Sequence, residues 1–212
     1  MAKKSYFYPT GGLPSQESIA SGRSIFKTAY AVIPQEVMKD IVVSYFPNWS
    51  LSRAWVLARP MTGFSETFSQ SIIEILPQGG SKKPEPDKRA ECVLFVLDGK
   101  MELTLTEKSY ILTSGSYVFI PPDQNWSIFN FFDEPARLIW IRKIYKFAED
   151  IEKPEPFVKN EIDLKPIPMP DTDGVWCTTR FVDPFDLRHD MHVNIVSIKP
   201  GGVIPFMETH VM

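Results

Sequence analysis

The chain of 212 residues is long enough for one large domain or two small ones, and its 43% hydrophobic and 13% aromatic content argues against wholesale disorder. The formal net charge of −3 excludes the basic surface typical of nucleic-acid-binding proteins. No apolar run reaches the roughly 20 residues that cross a membrane, and the N-terminus lacks the apolar segment of a signal peptide. We therefore expect a cytoplasmic protein with neither nucleic-acid nor membrane partners.

The first half of the chain shows a strand-rich pattern after an N-terminal arm. The arm covers residues 1–30, with one helical turn predicted near residues 15–20. Strand signals then follow in TAYAVIP, IVVSYFP, SRAWVLARP and FSQSIIEILPQGG, and residues 90–145 are almost all strand. Met101, Leu103 and Leu105 alternate onto one face, and Asp98-Gly99 predicts a hairpin turn. Short, closely spaced strands predict an antiparallel sandwich or barrel over residues 31–145.

The second half begins with a Pro-rich segment, residues 146–172, which we interpret as a linker with extended pieces packed on a neighbour. The strand pattern restarts after Asp173-Gly174. NIVSIKPGG then repeats the pattern of SIIEILPQGG, an apolar strand that ends on Pro and Gly-Gly. The two copies are roughly 120 residues apart, the length of one small domain. We expect residues 173–212 to begin a second β-domain that is incomplete in this chain.

For the two cysteines and for the two histidines outside the C-terminal stretch, we favour structural roles over functional ones. Cys92 and Cys177 lie far apart in apolar strands, so buried free thiols are predicted rather than a disulfide. We expect His189 near solvent at a strand start. His192 could lie on either face of its strand, where it is a minor candidate for a pocket.

Two further groups are ambiguous. Arg53, Trp55 and Arg59 could bind an anion, but packing on a strand face with exposed charge explains them equally well. A cluster of aromatic residues is interpreted as core or subunit interface rather than as a ligand site: Phe129, Phe131, Phe132 and Trp140.

The strongest motif is PFMETHVM at residues 205–212. Side chains two apart on a strand face the same way, so Glu208 and His210 would point together, as two metal ligands do. A Glu-x-His near a chain end is also commonly a solvated strand end. The preceding KPGG turn and the strand pattern favour the metal interpretation.

These motifs resemble those of cupins. A strand that ends in Pro and Gly-Gly, a loop, and GSYVFIPP before another strand is the cupin two-motif pattern. The resemblance implies a first motif with two histidines and a glutamate, and a second with one histidine. Here SKKPEPDKRAE has no histidine, Trp126 occupies the second-motif position, and Glu91 alone remains. The first domain is thus expected to be a cupin without a metal site, kept for structure or assembly.

The second half is similar to the C-terminal cupin of the (S)-ureidoglycine aminohydrolase family, bicupins of allantoin breakdown also called glyoxylate-induced proteins. Their hallmark is Glu-x-His-x-x-x-His after the Gly-Gly turn, with a glutamine further on that completes a manganese site. Glu208 and His210 match the first two ligands. The second histidine would fall beyond Met212, as would the glutamine and most of the substrate pocket, so the catalytic residues are unknown.

The resemblance implies a fold, a reaction and a cofactor. The fold is all-β, a bicupin of two barrels or jelly rolls, with the second barrel incomplete here. The reaction is the Mn²⁺-dependent hydrolysis of (S)-ureidoglycine, a small polar metabolite, and a homo-oligomer is expected. One carboxylate, two imidazoles, an amide oxygen and water suit an ion such as Mn²⁺. Two alternatives stay open: a non-catalytic bicupin that serves binding or assembly, and another metal-dependent bicupin enzyme.

Overall fold

The computed structural model describes residues 24–28, 30–34, 44–60, 65 and 67–205. The helical turn predicted near residues 15–20, and Glu208 and His210, lie outside these ranges. The described elements are strands and one 3₁₀ turn at Glu161–Asp163, which confirms the all-β prediction. No helix within the described ranges is long and apolar enough to cross a membrane.

Fourteen strands are described in chain order. They are β1 Ile25–Phe26, β2 Ala31–Val32, β3 Ser50–Ala58, β4 Phe68–Ser81, β5 Ala90–Asp98, β6 Lys100–Leu105, β7 Lys108–Thr113, β8 Ser116–Ile120, β9 Trp126–Phe129, β10 Ala136–Ile144, β11 Phe157–Asn160, β12 Ile167–Pro168, β13 Trp176–Arg180 and β14 Asn194–Ile198. β1 and β2 pair with each other.

Nine of these strands form one curled antiparallel sheet in the order β11-β8-β5-β10-β4-β9-β6-β7, with β3 on the other side of β4. The long strand β4 makes the sheet curl. Its first part pairs with β10 between residues 68 and 75, and its end pairs with β9 at Gly80 and Ser81. β4 thereby joins the two halves of a half-barrel.

The sequence predicts that this strand ends on Pro and Gly-Gly, whereas β4 bends there and continues to Ser81. Gln78 and Gly80 have φ values of 64° and 144°. A Cβ atom on Gly80 would collide with the Ile128 carbonyl oxygen, so glycine lets β4 approach β9 closely. Asn130, fully buried, supports the same corner because its Nδ2 donates to the carbonyl oxygens of Ile75 at 3.0 Å and Glu134 at 2.8 Å.

The concave face of the sheet holds the core. Met101, Leu103 and Leu105 all lie in it, as the alternation predicted. The remaining buried members are Ala54, Ile73, Ile75, Cys92, Leu94, Val96, Leu112, Val118, Ile120, Trp126, Ile128, Ala136, Leu138 and Trp140. The barrel interior is therefore packed with apolar side chains.

The convex face is covered by later parts of the chain. A second cluster consists of Val93, Tyr117, Phe119 and Phe181, with Met191, Val193 and Ile195 among the half-buried residues packed against it. Within the Pro-rich segment, β11 pairs with β8 and extends the first sheet. β12, β13 and β14 form a separate three-stranded antiparallel sheet.

Candidate functional site

The second sheet leads directly to the predicted metal ligands. β14 pairs with β13 and ends at Ile198, and a tight turn follows. In that turn the Gly202 amide donates to the Lys199 carbonyl oxygen at 2.8 Å, and Gly201 has a φ of 76°, which suits glycine. The KPGG motif therefore forms the turn that the sequence predicted, a few residues before Glu208.

The predicted metal site falls outside the part of the chain that the structure describes. The role of Glu208 and His210 therefore stays a prediction. Together they offer one carboxylate and one imidazole, a donor pair that fits a divalent transition ion but leaves a coordination sphere of about six unfilled. Among the residues that the structure describes, no group of three or more His, Cys, Asp or Glu side chains is arranged to hold a metal.

The interior of the first barrel has an aromatic side chain, Trp126, where the cupin pattern places the second-motif histidine. Trp126 lies in the core with its ring edge-to-face against Trp140, at 6.3 Å between centroids. Cys92 also points into the core and is 2% exposed. Its neighbour Glu91 consequently faces the opposite side of the sheet, because successive side chains of a strand alternate.

A cavity of about 540 Å³ is lined by residues of β3, β4 and β10 and of the segments beside them. Its wall is mostly apolar and includes Phe46 and Trp140, and Arg59 and Arg142 contribute charge. The Arg142 guanidinium lies over the Trp140 ring and its Nη2 donates to Glu85 Oε1 at 2.7 Å. Burial raises the pKa of Glu85 although Arg142 opposes the shift. The positive charge of Arg142 at the cavity wall is therefore balanced by the carboxylate of Glu85.

The structure corrects the prediction for His189. It does not lie near solvent at a strand start. Its side chain is 6% exposed, and its ring packs edge-on against Phe119 at 4.5 Å between centroids. Burial lowers the pKa of His189, with a smaller opposing effect from Asp186. His192 is exposed, with its ring 6.3 Å from that of His189.

Two of the other ambiguous side chains, Arg53 and Phe131, contact neighbouring side chains of the protein. Arg53 Nε donates to Glu74 Oε1 at 2.7 Å and its guanidinium lies over the Trp55 ring. Phe131 is 55% exposed and stacks on Phe129 at 5.5 Å.

Among the described residues neither cysteine forms a disulfide, and Cys92 is a buried thiol as predicted. Both thiols are free, with Cys92 buried and Cys177 half-buried.

The convex face carries a buried acidic group that the sequence does not predict. Glu91 is fully buried and lies beside Lys143 and Asp190, at the join between the first sheet and the residues that follow β13. The signal in the sequence was a carboxylate inside the apolar run AECVLFVL. Its partner Asp190 is about 100 residues away, so no local pattern could identify it.

Comparison with known proteins agrees with this architecture. The model of the family described as "Cupin domain" matches residues 72–142. The crystal structure of the putative glyoxylate-induced protein from Pseudomonas aeruginosa superposes with a TM-score of 0.84 at 53% identity, covering 99% of this chain and 76% of that one.

Two curated proteins are similar at lower identity. The (S)-ureidoglycine aminohydrolase of Escherichia coli strain K12 is 25% identical over 198 residues, 92% of this chain and 72% of that protein. The probable (S)-ureidoglycine aminohydrolase of Oryza sativa subsp. japonica is 27% identical over 191 residues, 89% of this chain and 57% of that protein. This chain therefore spans little more than half of the rice protein.

Proposed function

Because the chain belongs to the glyoxylate-induced protein family, to which it is linked by 53% identity, we propose that it acts as an (S)-ureidoglycine aminohydrolase. The observation that carries the proposal is the alignment of about nine-tenths of the chain with two curated proteins of that name. The cupin architecture of the first half supports it, since the cupin model matches there.

The proposed reaction replaces an amine by water. The bond between the substrate's tetrahedral carbon and its amino nitrogen breaks, a bond from that carbon to a water oxygen forms, and ammonia leaves with the protons that balance the exchange. The product is (S)-ureidoglycolate. The substrate is small and polar, so a shaped barrel interior is needed to present one face of the carbon to water and fix the configuration of the product.

We assign Glu208 and His210 as two ligands of Mn²⁺ within this proposal. The support is the strand and turn that precede them, β14 and the Gly201 turn, together with the Glu-x-His spacing, which would put both side chains on one face if the residues formed a strand. When bound, the ion would supply positive charge to orient and polarise the reacting groups. The two residues would hold it by a carboxylate oxygen and an imidazole nitrogen.

The first barrel has a different role in the proposal. Its interior is filled by apolar side chains, and Trp126 occupies the second-motif position, where a metal cupin would place a histidine. We propose that this barrel serves structure and assembly and takes no part in the reaction. Exposed Phe131, which stacks on half-buried Phe129, supports association with another copy, and we include a cytoplasmic homo-oligomer in the proposal.

The same filled interior supports a second candidate, a non-catalytic bicupin that serves binding or assembly. The two candidates differ in ammonia release. Protein from the complete reading frame should release ammonia from freshly generated ureidoglycine faster than the spontaneous rate and yield the S product. An unchanged rate with a racemic product would reject the aminohydrolase and favour the non-catalytic protein.

The metal assignment is tested by matched variants. Glu208→Gln and His210→Asn should each lower bound manganese and the enzymatic rate by at least about tenfold, since even the outer partners of metal ligands matter that much. His192→Asn, which changes an exposed histidine, should keep both. Full metal content in the Glu208 and His210 variants would contradict the assignment whatever their activity.

A further inference from the structure

The connection between β13 and β14, residues 181–193, holds the two sheets together. It lies across the convex face of the first sheet. Phe181 stacks on Tyr117 with 4.0 Å between ring centroids, and His189 packs on Phe119. These contacts are apolar and insensitive to pH, apart from the histidine.

The other end of the connection rests on a charged cluster. The Lys143 ammonium lies 2.8 Å from Asp190 Oδ2 and 4.0 Å from Glu91 Oε1. It also donates to the Asp190 carbonyl oxygen at 3.2 Å. Neither carboxylate oxygen of Glu91 accepts a hydrogen bond from a donor in the described part of the chain. One ammonium therefore lies between two carboxyl groups, one from β5 and one from the connection.

Charge balance in this cluster requires a proton. Two ionised carboxylates and one ammonium would leave a net negative charge at a site where Glu91 has no contact with water. A proton on Glu91 removes that charge and lets the carboxyl donate to Asp190. Burial, followed by the neighbouring Asp190 carboxylate, raises the pKa of Glu91 to about 9, and Lys143 opposes the shift only in part.

Asp190 is the ionised member of the pair. Burial alone would raise its pKa, but hydrogen bonds from Glu91, from Lys143 and from the Lys146 amide together lower it. The other titratable groups that face Glu91 are Tyr117 from β8 and Tyr145, the residue after β10. Burial raises the pKa of both phenols, so neither ionises before Glu91.

We propose that Glu91 and Asp190 share one proton and, with Lys143, form a pH-sensitive latch that holds residues 181–193 on the first sheet and loosens as the pH rises. Tyr145 belongs to the same contact, since its hydroxyl donates to the Arg188 carbonyl oxygen at 3.0 Å. Because β14 follows this connection directly, opening of the latch would free the strand that leads to residues 206–212.

The direction of the pH effect follows from proton binding in the two states. When the connection lifts away, Glu91 meets water and returns towards its ordinary pKa of 4.5. Between that value and about 9, the closed state holds a proton that the open state has lost. Opening therefore becomes more favourable as the pH rises, by up to about tenfold per pH unit, and levels off above the closed-state pKa.

Hydrogen exchange read by mass spectrometry tests the latch, with rates divided by the intrinsic rate at each pH. In the wild-type protein the protection of residues 181–193 should fall at least about tenfold between pH 6 and pH 8. In Glu91→Gln, which keeps a neutral donor at this position, protection should not fall over the same range. The titration that remains in the connection is that of His189, whose pKa returns towards 6.5 on opening, and it makes protection rise with pH. Asp190→Asn should also flatten the pH dependence, because Lys143 can then pair with an ionised Glu91.

The matched control is Glu149→Gln, the same substitution at an exposed position, which should keep the wild-type pH dependence. The concave core strands β5 and β6 should stay protected throughout, which separates local opening from global unfolding. A flat wild-type profile, or equal slopes in wild type and Glu91→Gln, would overturn the proposal. If protection in Asp190→Asn depends on pH as steeply as in the wild type, Glu91 and Asp190 do not share a proton. None of these readouts depends on the proposed enzymatic activity.

Discussion

The Phe181 ring lies parallel to the Tyr117 ring, with 4.0 Å between centroids and 7° between planes. Tyr117 belongs to β8 of the first sheet, and Phe181 is the first residue after β13 of the second. Both rings are almost fully buried, and Tyr117 stacks on Phe157 of β11 as well. The stack joins three elements that the sequence assigned to a first domain, a linker and a second domain.

Replacing Phe181 by alanine should therefore destabilise the protein. We expect Phe181→Ala to lower the free energy of unfolding by about 3 kcal/mol, since it leaves a cavity beneath the connection and removes an aromatic contact. Chemical denaturation followed by tryptophan fluorescence measures the change. Phe185→Ala, at a position 87% exposed in the same connection, should stay within about 0.5 kcal/mol of wild type. Equal effects of the two substitutions would show that the stack does not hold the sheets together.

The corner of the barrel depends on one buried amide. Asn130 donates to the carbonyl oxygens of Ile75 and Glu134, and its Oδ1 accepts from the Phe132 amide at 3.0 Å. Asn130→Ala leaves these backbone groups without that partner in a buried place, so we expect a loss of about 2 kcal/mol or more in unfolding free energy. Asn125→Ala, at an exposed position four residues after Pro121, is the control. A loss below about 0.5 kcal/mol for Asn130→Ala would contradict this role.

The sequence predicted the features that local chemistry controls. The alternation of Met101, Leu103 and Leu105 depends only on strand period, and the turn at Gly201 depends on the φ that glycine permits. The all-β class follows from the same patterns. Both elements could be predicted because their causes lie within a few residues.

Features that depend on distant pairing could not be predicted. The segment at residues 157–160 forms β11 only because β8 offers it an edge. The His189 side chain is buried because Phe119, 70 residues earlier in the chain, provides a surface for its ring. Glu91 likewise meets Asp190 only because folding brings together two residues about 100 positions apart. As for the candidate metal site, the turn before it follows from Gly201, whereas the ligands lie beyond the described residues.

The two thiols should differ in reactivity. Burial raises the pKa of Cys92, so its thiolate is scarce, and its side chain faces the packed barrel interior. Cys177 is half-buried, with its Sγ 3.8 Å from the Gly174 carbonyl oxygen. We expect iodoacetamide to label Cys177 of the native protein at least about tenfold faster than Cys92, as measured by peptide mass spectrometry. Denaturation should equalise the rates. Faster native labelling of Cys92 would mean that the barrel opens readily.

Acid should weaken the protein through His189. Burial lowers the pKa of this imidazole below its ordinary 6.5, against a smaller opposing effect from Asp186 and with small additional lowering from His192, Arg188 and Lys159. As the pH falls below 6.5, the unfolded chain takes up a proton at this position while the folded protein does not. The unfolded state is thereby favoured, so stability falls as the pH falls, by up to about 1.4 kcal/mol per pH unit until the folded-state pKa is reached.

His189→Phe removes the imidazole that takes up this proton and keeps an aromatic ring against Phe119. The difference in unfolding free energy, variant minus wild type, should therefore grow between pH 7 and pH 5. Chemical denaturation at four or five pH values in this range measures it. His192→Gln changes an exposed histidine and should leave the wild-type pH dependence in place. If His189→Phe and wild type lose stability in parallel on acidification, the imidazole ring is accessible to protons in the folded protein, and its packing on Phe119 does not keep it neutral.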